Sequence, residues 1–273
     1  MDFENRKRSN VQRRRLQRLK DKEERLLEPK RPSFIGQKLR ERAEPVRLQV
    51  EQKVPRKAVE KSAALLQAAF EKSFDVVLEK GSGLIAKTCS EQKLLEQYER
   101  FSGKPLSNWE LSKLAAKAAA RASANMVFST VQGGLMGALG IGLPDVPIFL
   151  AAVFKTLFEI SLRFGFPCGT REEQLYQMLV ICAAVGEEAD RRTAAADLDL
   201  LAREIQIGAG VSFEWQQVKS RAAKALCAAA LTGKVVQGVP VVGVYGGFRN
   251  GALLRQIGAM AAVKYQQRML SLY

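Results

Sequence analysis

Residues 126–154 read MVFSTVQGGLMGALGIGLPDVPIFLAAVF, an apolar run with five glycines between 133 and 142 and two prolines flanking an aspartate. No charged residue lies between Arg121 and Asp145, and Met126 to Leu143 alone supplies 18 residues, the lower limit for crossing a hydrocarbon core of roughly 30 Å. Composition argues against a simple span. Gly133, Gly134, Gly137, Gly140 and Gly142 loosen the helix, and Ser129, Thr130 and Gln132 leave it only moderately hydrophobic. Gly133 and Gly137 have the G-x-x-x-G spacing, which Ala138 and Gly142 repeat, and this interval lets a second helix backbone approach closely. The run therefore reads as a glycine-rich leg, a turn fixed by Pro144 and Pro147, and the start of a helix that Asp145 is placed to cap.

That helix is expected from Val146 to Phe164, stopped by Gly165. Lys155, Glu159 and Arg163 follow one another at i, i+4 spacing, where opposite charges support each other, while apolar residues cover the other faces. Two arrangements fit equally: a charged stripe in water with the apolar arc in a bilayer interface, or a core helix of a bundle with one wet edge. A second glycine series, Gly243, Gly247 and Gly251, follows Gly238-Val239-Pro240-Val241-Val242. It can line a close helix contact, with Arg249 and Asn250 supplying polar groups. Pairing it with Gly133 and Gly137 gives an apolar helical hairpin that packs on itself and can dip into a bilayer.

Working outward, the pattern stays helical. Aromatic residues make up 7% of the chain, and alanine blocks at 115–120 and 222–230 favour helix over sheet, so the expected class is an all-α multi-helix bundle. A first core helix runs from Ala58 to about Lys87, with Leu65, Ala69, Val76 and Val77 near one face and Leu66, Phe70 and Phe74 beside it. An alanine-rich helix from Trp109 leads into the glycine-rich leg. Thr170-Arg171-Glu172-Glu173 has the capping-box form and opens a helix to about Val185. Further helices are expected at Thr193–Glu204, closed by Gly208, from Ser212 and Trp215 to Gly233, and at Ala252–Leu270.

The net charge of +15 is unevenly spread: residues 1–57 hold 19 Lys/Arg against 9 Asp/Glu, two thirds of the excess. Residues 1–54 therefore read as a basic, proline-punctuated arm and linker, helical or disordered, ahead of an all-α domain at 55–273. Arg6, Lys7, Arg8, Arg13, Arg14 and Arg15 could grip phosphate on lipid headgroups or nucleic acid, or form a solvated arm. Leucines in this arm are too sparse to predict a core face. Cys89, Cys168, Cys182 and Cys227 have no C-x-x-C spacing and read as small buried hydrophobes. No apolar h-region follows Met1, so the expectation is cytoplasmic retention at the inner face of a membrane.

Histidine is absent from the chain, which excludes Ser-His-Asp and Cys-His catalysis and histidine-ligated metals. No phosphate-binding glycine loop is present, and neither a cofactor nor a small-molecule substrate is inferred. The best carboxylates for catalysis, Asp145 and Glu159, lie about 21 Å apart along one helix. Nucleic acid is the weaker partner for the arm, because only Phe3 and Phe34 could stack on bases within the first 57 residues. An anionic membrane surface or a membrane protein suits it better.

The run Gly142-Leu143-Pro144-Asp145-Val146-Pro147, the helix to Arg163-Phe164-Gly165-Phe166, the Glu172-Glu173 helix, and Val239-Pro240-Val241-Val242-Gly243 through Asn250 to Tyr265 and Arg268 together resemble the bacterial EcsC protein family. The resemblance covers about Tyr98 to Leu270 and leaves out residues before Lys57. It implies a cytoplasmic, often membrane-associated helical protein, linked through the family's name to a transporter, secretion and the cell envelope. It brings no catalytic residues. The expected role is a non-enzymatic accessory protein; a soluble helical interaction module and a nucleic-acid-associated protein are the alternatives, with a carboxylate hydrolase behind them.

Overall fold

Helix α4, Arg171–Val185, sits at the centre of the molecule because it has no polar face. Every residue from Leu175 to Val185 is buried, the outcome expected for a helix that is apolar all round. The computed structural model describes residues 2–29, 56–80, 145–167, 169–235 and 250–272. Among them are α1 (Asp2–Leu27), α2 (Arg56–Asp75) continuing into a π turn (Val76–Lys80), α3 (Asp145–Arg163), α4, α5 (Glu188–Ile207), α6 (Trp215–Val235) and α7 (Asn250–Ser271), with no strand. The chain is an all-α multi-helix bundle.

Packing closes a circuit: α3 lies on α7, α7 on α4, α4 on α6, α6 on α2, and α2 back on α3. Helix α5 covers a further side of α4, and α1 lies along α7. Edge-to-face pairs Phe70–Phe149 and Phe74–Phe154, with centroids 6.4 and 5.6 Å apart, run α2 and α3 in the same direction. On the other side of α2, Lys219 pairs with Asp75 at 2.7 Å and the Cys227 thiol donates to the Ala63 carbonyl at 3.4 Å, so α6 runs antiparallel. The buried hydroxyls of Ser73, Thr156 and Ser161 donate to carbonyls three or four residues back in their own helices, so each is satisfied locally.

Two glycines end helices as their sequence positions predict. Gly165 and Gly208 have φ of 84° and 66°, left-handed values that residues with a Cβ rarely adopt. At each, the glycine N–H and the next N–H return to carbonyls of the final turn: Gly165 to Leu162 and Phe166 to Ser161, Gly208 to Ile205 and Ala209 to Glu204. Thr170 caps α4, its Oγ1 accepting from the Glu173 amide at 3.3 Å.

Several expectations need correction. Helix α5 begins at Glu188, a full turn before Thr193. Ser212 does not open α6; its hydroxyl and amide both donate to Glu204 at the end of α5. On α2 the core line is Leu66, Ala69, Phe70, Phe74 and Val77, while Leu65 is 61% exposed, since neighbouring positions 100° apart on a helix cannot both face α3 and α6. The sparse leucines of α1 do enter the core: Leu19 and Leu27 are 8% and 4% exposed. The expected helix from Trp109, the end of the first core helix beyond Lys80 and the linker around Pro45 and Pro55 lie outside the described residues, as does the 54/55 boundary.

Phe74→Ala should lower unfolding free energy by about 3–5 kcal/mol in a urea titration, since Phe74 is 0% exposed. Leu65→Ala, at the exposed position, should change it by no more than about 0.5 kcal/mol.

Candidate functional site

Of the residues expected to build the hairpin, Gly133, Gly137, Gly142, Pro144, Gly243 and Gly247 lie outside the described residues. Asp145 is the first residue of α3, Pro147 is buried in its first turn, and Asn250 and Gly251 begin α7. The two helices that leave the paired segments, α3 and α7, pack on each other. Among the described residues no helix is long and apolar enough to cross a membrane.

The charged line of α3 is not a wet edge. From Val146 on, Ile148, Ala151 and Lys155 are half-buried on that helix, whereas every residue from Thr156 to Phe164 is buried, including Glu159 at 4% and Arg163 at 6% exposure. Helices α2 and α7 both pack on α3, and its charges past Lys155 are buried. Glu159 and Arg163 remain one turn apart, the spacing at which they support each other. Asp145 and Glu159 share one continuous helix, so about 21 Å separates the two carboxylates proposed for catalysis.

A buried polar cluster that spacing did not reveal joins α4 to α7. The Arg268 guanidinium lies 2.5 Å from Glu173 Oε1 and stacks 4.2 Å over Phe166 and 4.9 Å over Tyr176, a desolvated setting in which such contacts are strong. The Tyr265 hydroxyl donates to Glu173 Oε2 at 3.4 Å, and its ring packs 5.0 Å from Tyr176. Glu173 therefore serves α7 through its side chain and does not reach back to complete a capping box. Burial raises the Glu173 carboxyl above its ordinary 4.5, against the pull of Arg268. It likewise raises the Tyr176 phenol. Tyr265 is 0% exposed, Tyr176 1%, Glu173 5% and Arg268 7%, so the cluster is closed to substrate and its chemistry is that of a core fastener.

A second cluster holds α1. The Lys264 ammonium, 0% exposed, lies 2.6 Å from Glu23 and 2.8 Å from Asp199 and donates to the Ala195 carbonyl at 2.9 Å, so a costly buried charge is matched from α1 and α5 together. Gln267 adds a hydrogen bond to Glu23 at 2.8 Å, and Gln12 donates to the Leu270 carbonyl at 2.7 Å. Arg191, on α5, donates through Nε to Ala183 O and through Nη2 to Leu26 O. Those carbonyls belong to the last turns of α4 and α1, where they lack helical partners and where a cation is favoured. Arg192 pairs with Glu24 at 3.0 Å. The one sequence signal for this latch is a single lysine inside the otherwise apolar run Met260 to Tyr265.

Of the basic residues expected to meet an anionic surface, Arg13 and Arg14 are exposed and Arg15 is half-buried. Arg6, Lys7 and Arg8 lie in the same helix, α1. Cys182 and Cys227 are free and buried, and burial pushes the Cys182 thiol up to about 12, which removes it as a nucleophile at neutral pH.

Comparison with known protein families matches residues 12–270 to the EcsC protein family. The chain belongs to that family. The match begins inside α1, so the EcsC resemblance extends well upstream of Tyr98 and takes in the helix that the sequence reading set aside as an arm. No curated protein and no solved structure shows a significant match. The two buried clusters thus fall within the EcsC match, since all their residues lie between Gln12 and Leu270.

Because burial raises the Glu173 pKa in the folded state, the fold binds more protons than the unfolded chain in the interval above 4.5. Its contribution to stability therefore grows as pH falls through the folded pKa and levels off below the unfolded one. Denaturation at a series of pH values should show the wild type gaining on Glu173→Gln from pH 7 towards 4.5; a loss over that interval contradicts a raised pKa. For the latch, Glu23→Gln and Lys264→Met should each destabilise by about 2–4 kcal/mol, with the double variant costing clearly less than their sum. Additive costs in this cycle would show that the two groups are not coupled.

Proposed function

We propose that this chain is a non-enzymatic, helical accessory protein that associates with the inner face of a membrane, beside a transporter, secretion or cell-envelope system. The observation that carries this reading is the joining of two weak membrane signals in one chain: exposed arginines on α1 and the uncharged run 122–144 that feeds directly into α3. Neither a basic helix nor a moderately apolar segment anchors a protein firmly, but two such signals together do. The EcsC membership is consistent with it. An enzymatic role finds less support, because the polar clusters that could tune a carboxylate are closed, and Asp145 and Glu159 are too far apart to share a substrate.

A second reading, a helical module that binds another protein, is favoured by Leu200 and Ile207. They are 48% and 75% exposed and seven residues apart, on one face of α5.

Fractionation of cells expressing the full chain separates these readings. Membrane association predicts sedimentation with membranes at low salt, partial release at high salt and full release in detergent. An interaction module stays in the supernatant throughout. Removing residues 1–54 is a poor comparison, since it would strip Glu23 from Lys264 and expose the seats of Leu19 and Leu27. Substitutions of the exposed arginines of α1 should leave the bundle intact and shift the salt needed for release downward.

A further inference from the structure

Helix α1 has two chemically different sides. Its inner side, Gln12, Leu16, Leu19, Glu23, Leu26 and Leu27, is committed to the bundle. On the outer side Arg14, Arg18, Lys22 and Arg25 are all exposed. Their spacings of four, four and three residues place them on one ridge, about 16 Å long. Asp21, the nearest outward acid, accepts a hydrogen bond from Gln17 at 2.9 Å, and Glu24 is occupied by Arg192. From Asn5 to Lys20 the helix holds eight basic residues and no acid. Glu23 and Glu24 are therefore spent on other helices, and from Arg14 to Arg25 the outer side keeps these four cations against the single acid Asp21, a net positive face.

We propose that the ridge Arg14, Arg18, Lys22 and Arg25 is the surface by which the protein lies on a bilayer containing anionic phospholipid, with α1 still docked on α7. This rests on the membrane reading above and adds to it the face and the residues that make contact. Charge complementarity selects the occupant, because guanidinium and ammonium groups in a straight exposed row match a plane of phosphate headgroups. Nucleic acid fits less well. Helix α1 has one aromatic residue, Phe3, for stacking on bases. Its inner side is covered by α7, with α4 and α5 at its end, so a whole bundle stands behind a helix that would have to enter a groove about 12 Å wide. A flat surface makes no such demand.

The test uses the purified full-length chain with vesicles of phosphatidylcholine, alone or with a third phosphatidylglycerol, at low ionic strength, read by co-sedimentation. Two double variants remove equal charge: Arg14→Gln/Arg18→Gln on the ridge, and Arg13→Gln/Lys20→Gln, exposed but on the other flank of α1. The wild type should bind only the phosphatidylglycerol vesicles. Each ridge charge is worth about fivefold, so the ridge variant should bind about 25-fold more weakly. The flank variant should lose less than about fivefold, and Arg14→Lys/Arg18→Lys should keep most of the affinity. Unchanged unfolding temperatures show that the fold is kept; should a glutamine variant shift it, the Lys pair, which restores charge, decides the matter. Equal losses in the two doubles would overturn the proposal in favour of an unspecific basic tail. Wild-type binding undiminished by the ridge variant would also overturn it while leaving the membrane reading in place. No binding of the wild type to either vesicle sinks both. Tighter binding to duplex DNA or RNA than to vesicles at equal phosphate, lost on the ridge variant, would replace the bilayer by nucleic acid.

Discussion

The constraint on which the rest of the structure depends is the burial of α4 on every side from Leu175 to Val185. An apolar rod of this length must be enclosed by neighbours on every side, and its free carbonyls must then find partners away from water. Helices α5, α6 and α7 supply the enclosure. Arg191 and Gln256 reach the carbonyls of Ala183 and Ala184 at its C-terminal end, while Thr170 and Glu173 manage its N-terminal end. The positions of the surrounding helices follow from what α4 needs, and Arg191 passes the requirement on to α1 by binding the Leu26 carbonyl with the same guanidinium.

Local signals carried the fold a long way. The capping threonine, the glycines at 165 and 208, the period of α2 and the alanine block of α6 are short-range features, and each marks an element where it occurs. What stayed hidden was tertiary. Lys155, Glu159 and Arg163 form a convincing outward stripe by spacing alone, but spacing does not say which side a neighbour will cover. The leucines of α1 were too few to predict a core face because a helix held by buried ions needs fewer of them. Glu173 looked like half of a capping box, since nothing local announces that an arginine 95 residues later will take its carboxylate. The residues of the two buried clusters are distant in sequence, and that is why spacing could not collect them.

Charge in this protein does two separate jobs that composition merges. Lys264, Arg268, Arg191 and Arg221 are held inside or between helices by carboxylates, carbonyls and rings; Arg221, for instance, lies 2.6 Å from Asp190 and 2.5 Å from Asp197 and ties α6 to α5. Such interior pairs fix which helices meet and add little net stability over apolar packing. Arg14, Arg18, Lys22 and Arg25 on α1 are exposed instead. A positive balance concentrated at one end of a chain therefore need not describe a tail; here part of it describes the outer face of a folded helix.

The latch also sets an order of events. Gln12 donates to the carbonyl of a residue 258 positions later, and Lys264, the partner of Glu23, belongs to the last helix. Helix α1 precedes α7 in synthesis and lacks its main docking partner until α7 has emerged, about 10–50 s later at ordinary elongation rates. Through that interval its leucines and arginines are both uncovered, and contacts so far apart in sequence close slowly. Without α7, α1 loses the surface that buries most of its inner side.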